Sequence, residues 1–414
     1  MTVLINAYAC SPNMGSEPGM GWNWICSIAR HCEVHVITES EFHNDIEQAV
    51  ECLTFKNNLH FHYNPVSEHV RQMCWNQGDW RFYWYYWLWQ RETAEIARRI
   101  CKTQKIDILH QFNMVGFREP GCLLKISKEF NIPLVWGPIG GIKLFPMAYA
   151  SGIRMKSFQG LKNTLNILQL ILYPRVRRMM KHADVLISAI PDSQQAIKKY
   201  YGRNSILIHE TGCHILNDND AANTSHRFFN KKFNVIWVGK FDFRKRLDIA
   251  IHSIAQTGNS NIRLQIYGNG NEQQTAEAKA LIKQLKIEDQ VHLMGSVPTK
   301  DIHVAMRHAD LFLFTSVSED TSTVVLEAIS NHLPVLCFNS CGMAAVIDDS
   351  VGWKVNLSTP KQSVKDFANR LDYLYNNRNE LLKLSRNCAE KAASLSWNSK
   401  GEQLMAIYKD IISS

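Results

Sequence analysis

The chain has 414 residues, 45% of them apolar and 20% charged, and a formal net charge of +8. That length suits two or three domains with cores of their own, in a composition typical of soluble globular proteins. No apolar run approaches the roughly 20 residues a helix needs to span a bilayer, and the 11 cysteines form no Cys-x-x-Cys pair and no completed zinc set, so neither a membrane-spanning helix nor a cysteine zinc site is expected. The mild positive charge suits an anionic partner, whether nucleotide, nucleic acid or acidic lipid.

The chain opens Met1-Thr2-Val3-Leu4-Ile5-Asn6-Ala7-Tyr8-Ala9, which lacks a basic leader region and is expected to form a buried strand, not a secretory signal. A glycine-bearing loop follows, Gly15-Ser16-Glu17-Pro18-Gly19-Met20-Gly21, and then a helix over 22–31. Further strands are expected at 34–37, 59–63, 108–109, 134–136, 185–188 and 206–209, with helices such as 92–103 and 194–201 between them. The run Trp80-Arg81-Phe82-Tyr83-Trp84-Tyr85-Tyr86-Trp87-Leu88-Trp89 is dense in aromatics that favour half-wet interfaces. A second unusual stretch, 154–182, joins apolar residues 165–172 to Arg175, Arg177, Arg178 and Lys181. Either stretch could press on an anionic membrane surface; the alternatives are core packing of one helix and a solvated basic face on the other, or aromatics stacked on sugar rings.

The polar segment 217–225 breaks the alternation, and strands resume at 235–238, 263–267, 291–293, 311–314 and 335–338. Strand–helix alternation predicts parallel sheets covered on both faces. The expected architecture is therefore α/β, with two doubly wound, Rossmann-like domains facing a cleft. Residues 1–212 form the first domain, 213–234 a linker and 235–396 the second, with a closing helix over about 397–414 packing back on the first.

Four segments after strands of the second half carry the candidate chemistry. Gly239 lets the chain turn before Lys240, Arg244, Lys245 and Arg246, cations suited to phosphate. Tyr267-Gly268-Asn269-Gly270 ends the next strand, and Gly295-Ser296-Val297 the one after, where the backbone could edge-bind a base. Last comes Thr315 to Ala328, with Glu319 on a loop and Glu327 in the following helix. At that helix's start the N–H groups of Thr323 and Val324 lack intrahelical partners and favour an anion such as a diphosphate. A carboxylate like Glu327 can take two ribose hydroxyls. The combination reads as a nucleotide-sugar site.

The ordered set Gly-Lys-Phe-Asp with Arg-Lys, Tyr-Gly-Asn-Gly, Gly-Ser-Val, Ser-x-x-Glu with Glu-Ala, and Leu-Pro-Val, over roughly 235–355, resembles the C-terminal domain of retaining GT-B glycosyltransferases, glycosyltransferase family 4. The resemblance implies that Lys240 and Lys245 hold and stabilise the donor diphosphate. It implies further that Glu319 touches the donor sugar, that amides near Thr323 and Val324 bind phosphate, and that Glu327 binds ribose. Gly239, Gly268, Ser296 and Val297 would line the donor site, and Gly19 and Gly21 would let the first domain approach the donor phosphates. The implied enzyme is a metal-independent hexosyltransferase without a cofactor. Its expected donor is a nucleoside-diphosphate sugar, UDP or GDP, and its acceptor a saccharide, expected to be lipid-linked, in surface polysaccharide assembly such as lipopolysaccharide. The expected location is cytoplasmic, peripheral at the inner membrane face, and nucleic acid is not an expected partner.

Some positions depart from that pattern. Lys240 stands where arginine is more usual, and Asp320 and Ser322 where small residues, often glycine, are. The histidine that contacts the sugar in many relatives is replaced by Trp136-Gly137-Pro138. His110, Gly140 and Gly141 are the fallback candidates on the acceptor side. Two alternatives stay open, a nucleotide-sugar epimerase and a non-catalytic nucleotide-sugar-binding protein. A Rossmann dehydrogenase fails because the 15–21 glycines lack the Gly-x-Gly-x-x-Gly spacing.

Overall fold

The computed structural model describes residues 1–76, 79–215, 228 and 230–413. Seven strands build the first sheet: β1 (Thr2–Ala7), β2 (Glu33–Thr38), β3 (Leu59–Tyr63), β4 (Ile108–Asn113), β5 (Leu134–Ile139), β6 (Val185–Ser188) and β7 (Ile206–Leu207). Six build the second: β8 (Phe233–Val238), β9 (Ile262–Tyr267), β10 (Val291–Gly295), β11 (Leu311–Phe314), β12 (Val335–Phe338) and β13 (Gly352–Val355). The orders are β3-β2-β1-β4-β5-β6-β7 and β10-β9-β8-β11-β12-β13.

Every pairing is parallel. Parallel strands need long crossovers, which helices such as Ser16–Ala29 and Leu247–Thr257 supply. Those helices cover both faces, so inner strands are apolar throughout and not alternating: all four residues of β11 and of β12 are buried. Each sheet reverses its strand order once, between β1 and β4 and between β8 and β11. Loops leaving the carboxyl ends of those pairs diverge, and the crevice left there is where such sheets bind ligands.

Contacts group Met1–Ile142, Leu165–Thr211 and Trp397–Ser414 in one unit, and Lys143–Thr164 with Gly212–Ser396 in the other. Residues 143–164 thus differ from the sequence expectation: Phe145, Tyr149 and Ala150 are core residues of the second unit. The C-terminal helix Trp397–Ser413 gives Leu404 and Tyr408 to the first core. Most of the expected linker, residues 216–227 and 229, lies outside the described residues.

Two further local readings are corrected. Strand β13 was not expected, because a glycine start and half-exposed Trp353 and Lys354 hide an edge strand. The first helix begins at Ser16, so Gly19 and Gly21 are helical residues and not loop glycines. Among the described residues no helix is long and apolar enough to cross a membrane.

Candidate functional site

The switch point of the second sheet brings the loop after β8 against the loop after β11. Buried Thr315 fastens them: its hydroxyl lies 2.8 Å from the Lys245 carbonyl and 3.0 Å from that of Arg246, while Trp237 Nε1 donates to it at 3.1 Å. The Val317 amide donates to the Arg244 carbonyl at 2.9 Å. Held this way, Lys245 Nζ stands 2.6 Å from Glu319 Oε1, each side chain 15% exposed. The Lys245 ammonium also lies 4.9 Å from the Phe314 ring centroid, and its stem runs beside Gly239, where a Cβ would come within 3.6 Å of Lys245 Cδ.

Glycines at neighbouring strand ends keep this region low. Gly268 has φ +118°, and a Cβ there would run into the Gly239 carbonyl. Its amide donates to the Gly295 carbonyl at 2.8 Å, and Gly295 itself has φ +76°. Ser296 after it is exposed, while Val297 packs on the apolar cluster that holds Phe312 and Val325.

The helix Thr323–Ser330 starts just past Glu319, and no side chain caps it. Its first residues, Thr323 and Val324, therefore carry the N-terminal amides expected of an anion site. Glu327 lies one turn on, and burial pushes its carboxyl above the ordinary value.

The basic cluster is smaller than the sequence suggests. Arg246 is buried with left-handed backbone, its guanidinium held by both oxygens of Asp248 at 2.8 and 2.6 Å and by the Tyr149 carbonyl at 3.2 Å. Arg244 forks onto Asp242 at 3.0 and 2.9 Å. Lys240 is exposed and forms no ion pair among the described residues. Asp320, which departs from the usual small residue, is paired with Lys143 at 2.7 Å. Lys143 comes from a distant segment, so no sequence signal near the motif announces it.

In the first unit, Gly19 and Gly21 let the helix Ser16–Ala29 close on the preceding loop: a Cβ at either would strike the carbonyls of Met14 or Ala9. Gly140 pairs with the 115–117 backbone through its amide to the Val115 carbonyl at 2.8 Å, and Gly141 follows with φ +74°. His110 is a correction. It is fully buried, with Nδ1 2.6 Å from the Tyr408 hydroxyl and Nε2 2.7 Å from the Gly137 carbonyl. A carbonyl only accepts, so Nε2 carries the proton and Nδ1 accepts from Tyr408; burial pushes the ring down to about 4. Both nitrogens make buried hydrogen bonds within the first unit.

The feature that the sequence does not disclose is a cavity of 580 Å³ at the carboxyl ends of β1, β2 and β4, lined by Tyr8, Glu17, Glu39, Glu41, Trp75 and Tyr83 among others. Burial works against the Glu39 carboxylate, but Arg71 and three backbone amides hold it below the ordinary range. Glu41 is pushed up by burial, against its bond from Trp75 Nε1 at 2.8 Å. Helical periodicity divides the aromatic run: Phe82, Tyr86 and Trp89 turn inward onto Tyr8, while Trp80, Tyr83 and Trp84 are exposed.

Two doubly wound parallel sheets of these orders define the GT-B glycosyltransferase fold. Crystal structures of Anabaena Alr3699/HepE in complex with UDP and of WaaG, a glycosyltransferase of lipopolysaccharide biosynthesis, share it. HepE has a TM-score of 0.65 and 14% identity, over 99% of this chain and 100% of that one. WaaG has a TM-score of 0.58 and 18% identity, over 98% and 99%. Residues 218–394, most of the second unit, match the family model described as Glycosyl transferases group 1. Among curated relatives, WcaL of Escherichia coli (strain K12), a candidate glycosyltransferase of colanic acid biosynthesis, is 27% identical over 146 residues. The match spans 33% of this chain and only 34% of that relative's length.

Proposed function

We propose that the chain is a retaining, metal-independent glycosyltransferase of family 4 that moves a sugar from a nucleoside-diphosphate sugar to a saccharide acceptor. The observation that carries this reading is the Lys245–Glu319 pair at the switch point, beside the uncapped helix that bears Glu327. A diphosphate arriving there meets Lys245, Lys240 and the amides of Thr323 and Val324. Lys245 then exchanges its carboxylate partner for phosphate, and Glu319 is released to accept hydroxyls of the donor sugar. Glu327 takes the ribose hydroxyls. Because a HepE structure holds UDP, uracil is favoured as the base, with guanine next.

As the glycosidic bond to phosphate lengthens, negative charge grows on the leaving diphosphate, and fixed cations and amides aimed at it lower the barrier. The departing phosphate takes the acceptor proton, so the scheme uses no protein base and routes no step through a metal. The acceptor is placed in the cavity beside Tyr8 and Tyr83, where aromatic faces suit sugar rings and Glu17, Glu39 and Glu41 offer acceptors for hydroxyls.

A lipid-linked acceptor and a peripheral location at the inner membrane face belong to the same proposal, within surface polysaccharide assembly. They rest on an exposed apolar stripe along the helix Gly152–Leu172, formed by Phe158, Leu161, Leu165, Leu168 and Leu172, and on the basic residues Arg175, Arg177 and Arg178 that follow it. The reading is tested by incubating the protein with UDP-, GDP-, ADP- and dTDP-sugars and following nucleotide release and the anomeric configuration of the product by NMR. Release from one class with retained configuration is expected. Inverted product would overturn the mechanism, and absence of release from every sugar would overturn the activity.

A further inference from the structure

The start of β2 and the neighbouring edge strand β3 carry an unassigned cluster. Register pairs His35 with His60 and Ile37 with His62. Residues two apart on a strand share a face, so Glu33, His35, His60 and His62 lie on the same one. The rings stack, with centroids 4.7 Å apart for His35 and His60 and 5.3 Å for His35 and His62. His35 Nδ1 is 3.0 Å from His62 Nε2. His35 Nε2 is 3.8 Å from Glu33 Oε1, and His60 Nε2 is 3.0 Å from the same oxygen.

Both Nε2 atoms are buried, and neither makes a well-angled hydrogen bond. His35 is only 5% exposed. Two buried nitrogens aimed at one carboxylate oxygen without bonding it are costly unless something else satisfies them. The other Glu33 oxygen is already held by the Thr2 hydroxyl at 3.1 Å, which leaves Oε1 directed at the rings. The ligating atoms of Glu33, His35 and His60 all lie within 4.8 Å of one another. A tetrahedral ion with ligand bonds of about 2.0–2.2 Å sets its ligands roughly 3.4 Å apart, a spacing these side chains reach with small rotations.

We propose that Glu33, His35 and His60 bind a divalent transition-metal ion, zinc being the best fit, with His62 orienting His35 through its Nδ1. Two imidazoles and a carboxylate form a zinc set with a fourth position for water. The hydrogen bond on the far nitrogen of His35 is the usual way a ligating ring is held. Metal binding requires the imidazoles in their neutral form. The ion would clip edge strand β3 to β2 at the amino ends of the strands. The cavity lies at the carboxyl ends, so the clip's role is structural.

The test is a melting and calorimetry series on the full chain, stripped with chelator and titrated with zinc chloride. Zinc is expected to raise the melting temperature by several degrees with one-to-one stoichiometry, and to slow amide exchange in β3; magnesium, a hard ion, does neither. His60→Gln and Glu33→Gln should each lose the shift while keeping the wild-type circular dichroism, and exposed His182→Gln should keep it. No shift in the wild type, or an equal shift in both the His60→Gln and Glu33→Gln proteins, overturns the proposal.

Discussion

Lys245 Nζ and the Glu319 carboxylate meet at 2.6 Å although they leave different strands, because Thr315 and Val317 tie the two loops together through backbone carbonyls of residues 244–246. In the proposed scheme an arriving donor separates this pair. Lys245→Ala is expected to lower transfer by about 10²–10³-fold, the usual loss when one preorganised charge stabiliser is removed. Glu319→Gln frees Lys245 for phosphate. It should bind free nucleoside diphosphate at least as tightly as wild type, while turnover falls by about 10²-fold. Calorimetry and initial rates on both variants check this; weaker diphosphate binding by Glu319→Gln would count against it.

Glu327 predicts an opposite pair of effects on stability and binding. Burial raises its carboxyl above the ordinary value of 4.5. The folded protein then holds the proton more tightly than the unfolded chain, so stability falls as pH rises from 4.5 through the raised value. Glu327→Gln removes that penalty. Without ligand it should melt above wild type near neutral pH, with the gap closing toward pH 4.5. Melting curves across that range measure it, and a variant less stable than wild type at neutral pH would contradict it.

His110 titrates in the other direction. Its ring is lowered from 6.5 to about 4, so the unfolded chain takes up the proton first. The stability it confers is whole above 6.5 and is lost as pH falls toward 4, by roughly 3 kcal/mol. His110→Gln should flatten that acid slope in urea unfolding. Tyr408→Phe should cost about 1–3 kcal/mol at neutral pH by leaving Nδ1 unpaired. Equal acid slopes in wild type and His110→Gln would refute the assignment.

For the membrane proposal, the apolar stripe of the helix Gly152–Leu172 is the target. Wild type should co-sediment with vesicles containing phosphatidylglycerol, less so at high salt. Replacing Leu161, Leu165 and Leu168 together by serine should abolish the binding. Failure of wild type to bind anionic vesicles at low salt would remove the surface role.

Much of the fold is legible in the sequence because inner parallel strands are short, wholly apolar runs: β6, β11 and β12 begin and end where their composition does. β13 is not legible, since an edge strand needs no apolar face on its open side. That the segments of Lys245 and Glu319 can face one cleft follows from their positions after strands; their direct contact does not. Their tether at Thr315 does not, because a buried hydroxyl looks like any threonine until the second loop is in place. Arg246 shows the limit of counting charges: a turn of backbone sends it to Asp248 and away from Lys245 and Glu319. The cavity by Tyr8 and Glu39 is invisible in sequence, as its walls come from four separate stretches of chain, around residues 8–18, 39–42, 73–83 and 114.

The central claim, a nucleoside-diphosphate site built on Lys245, Glu319 and Glu327, is tested most directly by thermal shift with UDP, GDP, ADP and dTDP on wild type and Glu327→Ala. One nucleotide, UDP first, is expected to stabilise wild type, and the variant to lose at least about tenfold in affinity, the worth of a hydrogen bond to a charged group. A folded wild type that responds to none of the four, or a Glu327→Ala protein that responds as strongly as wild type, would contradict it.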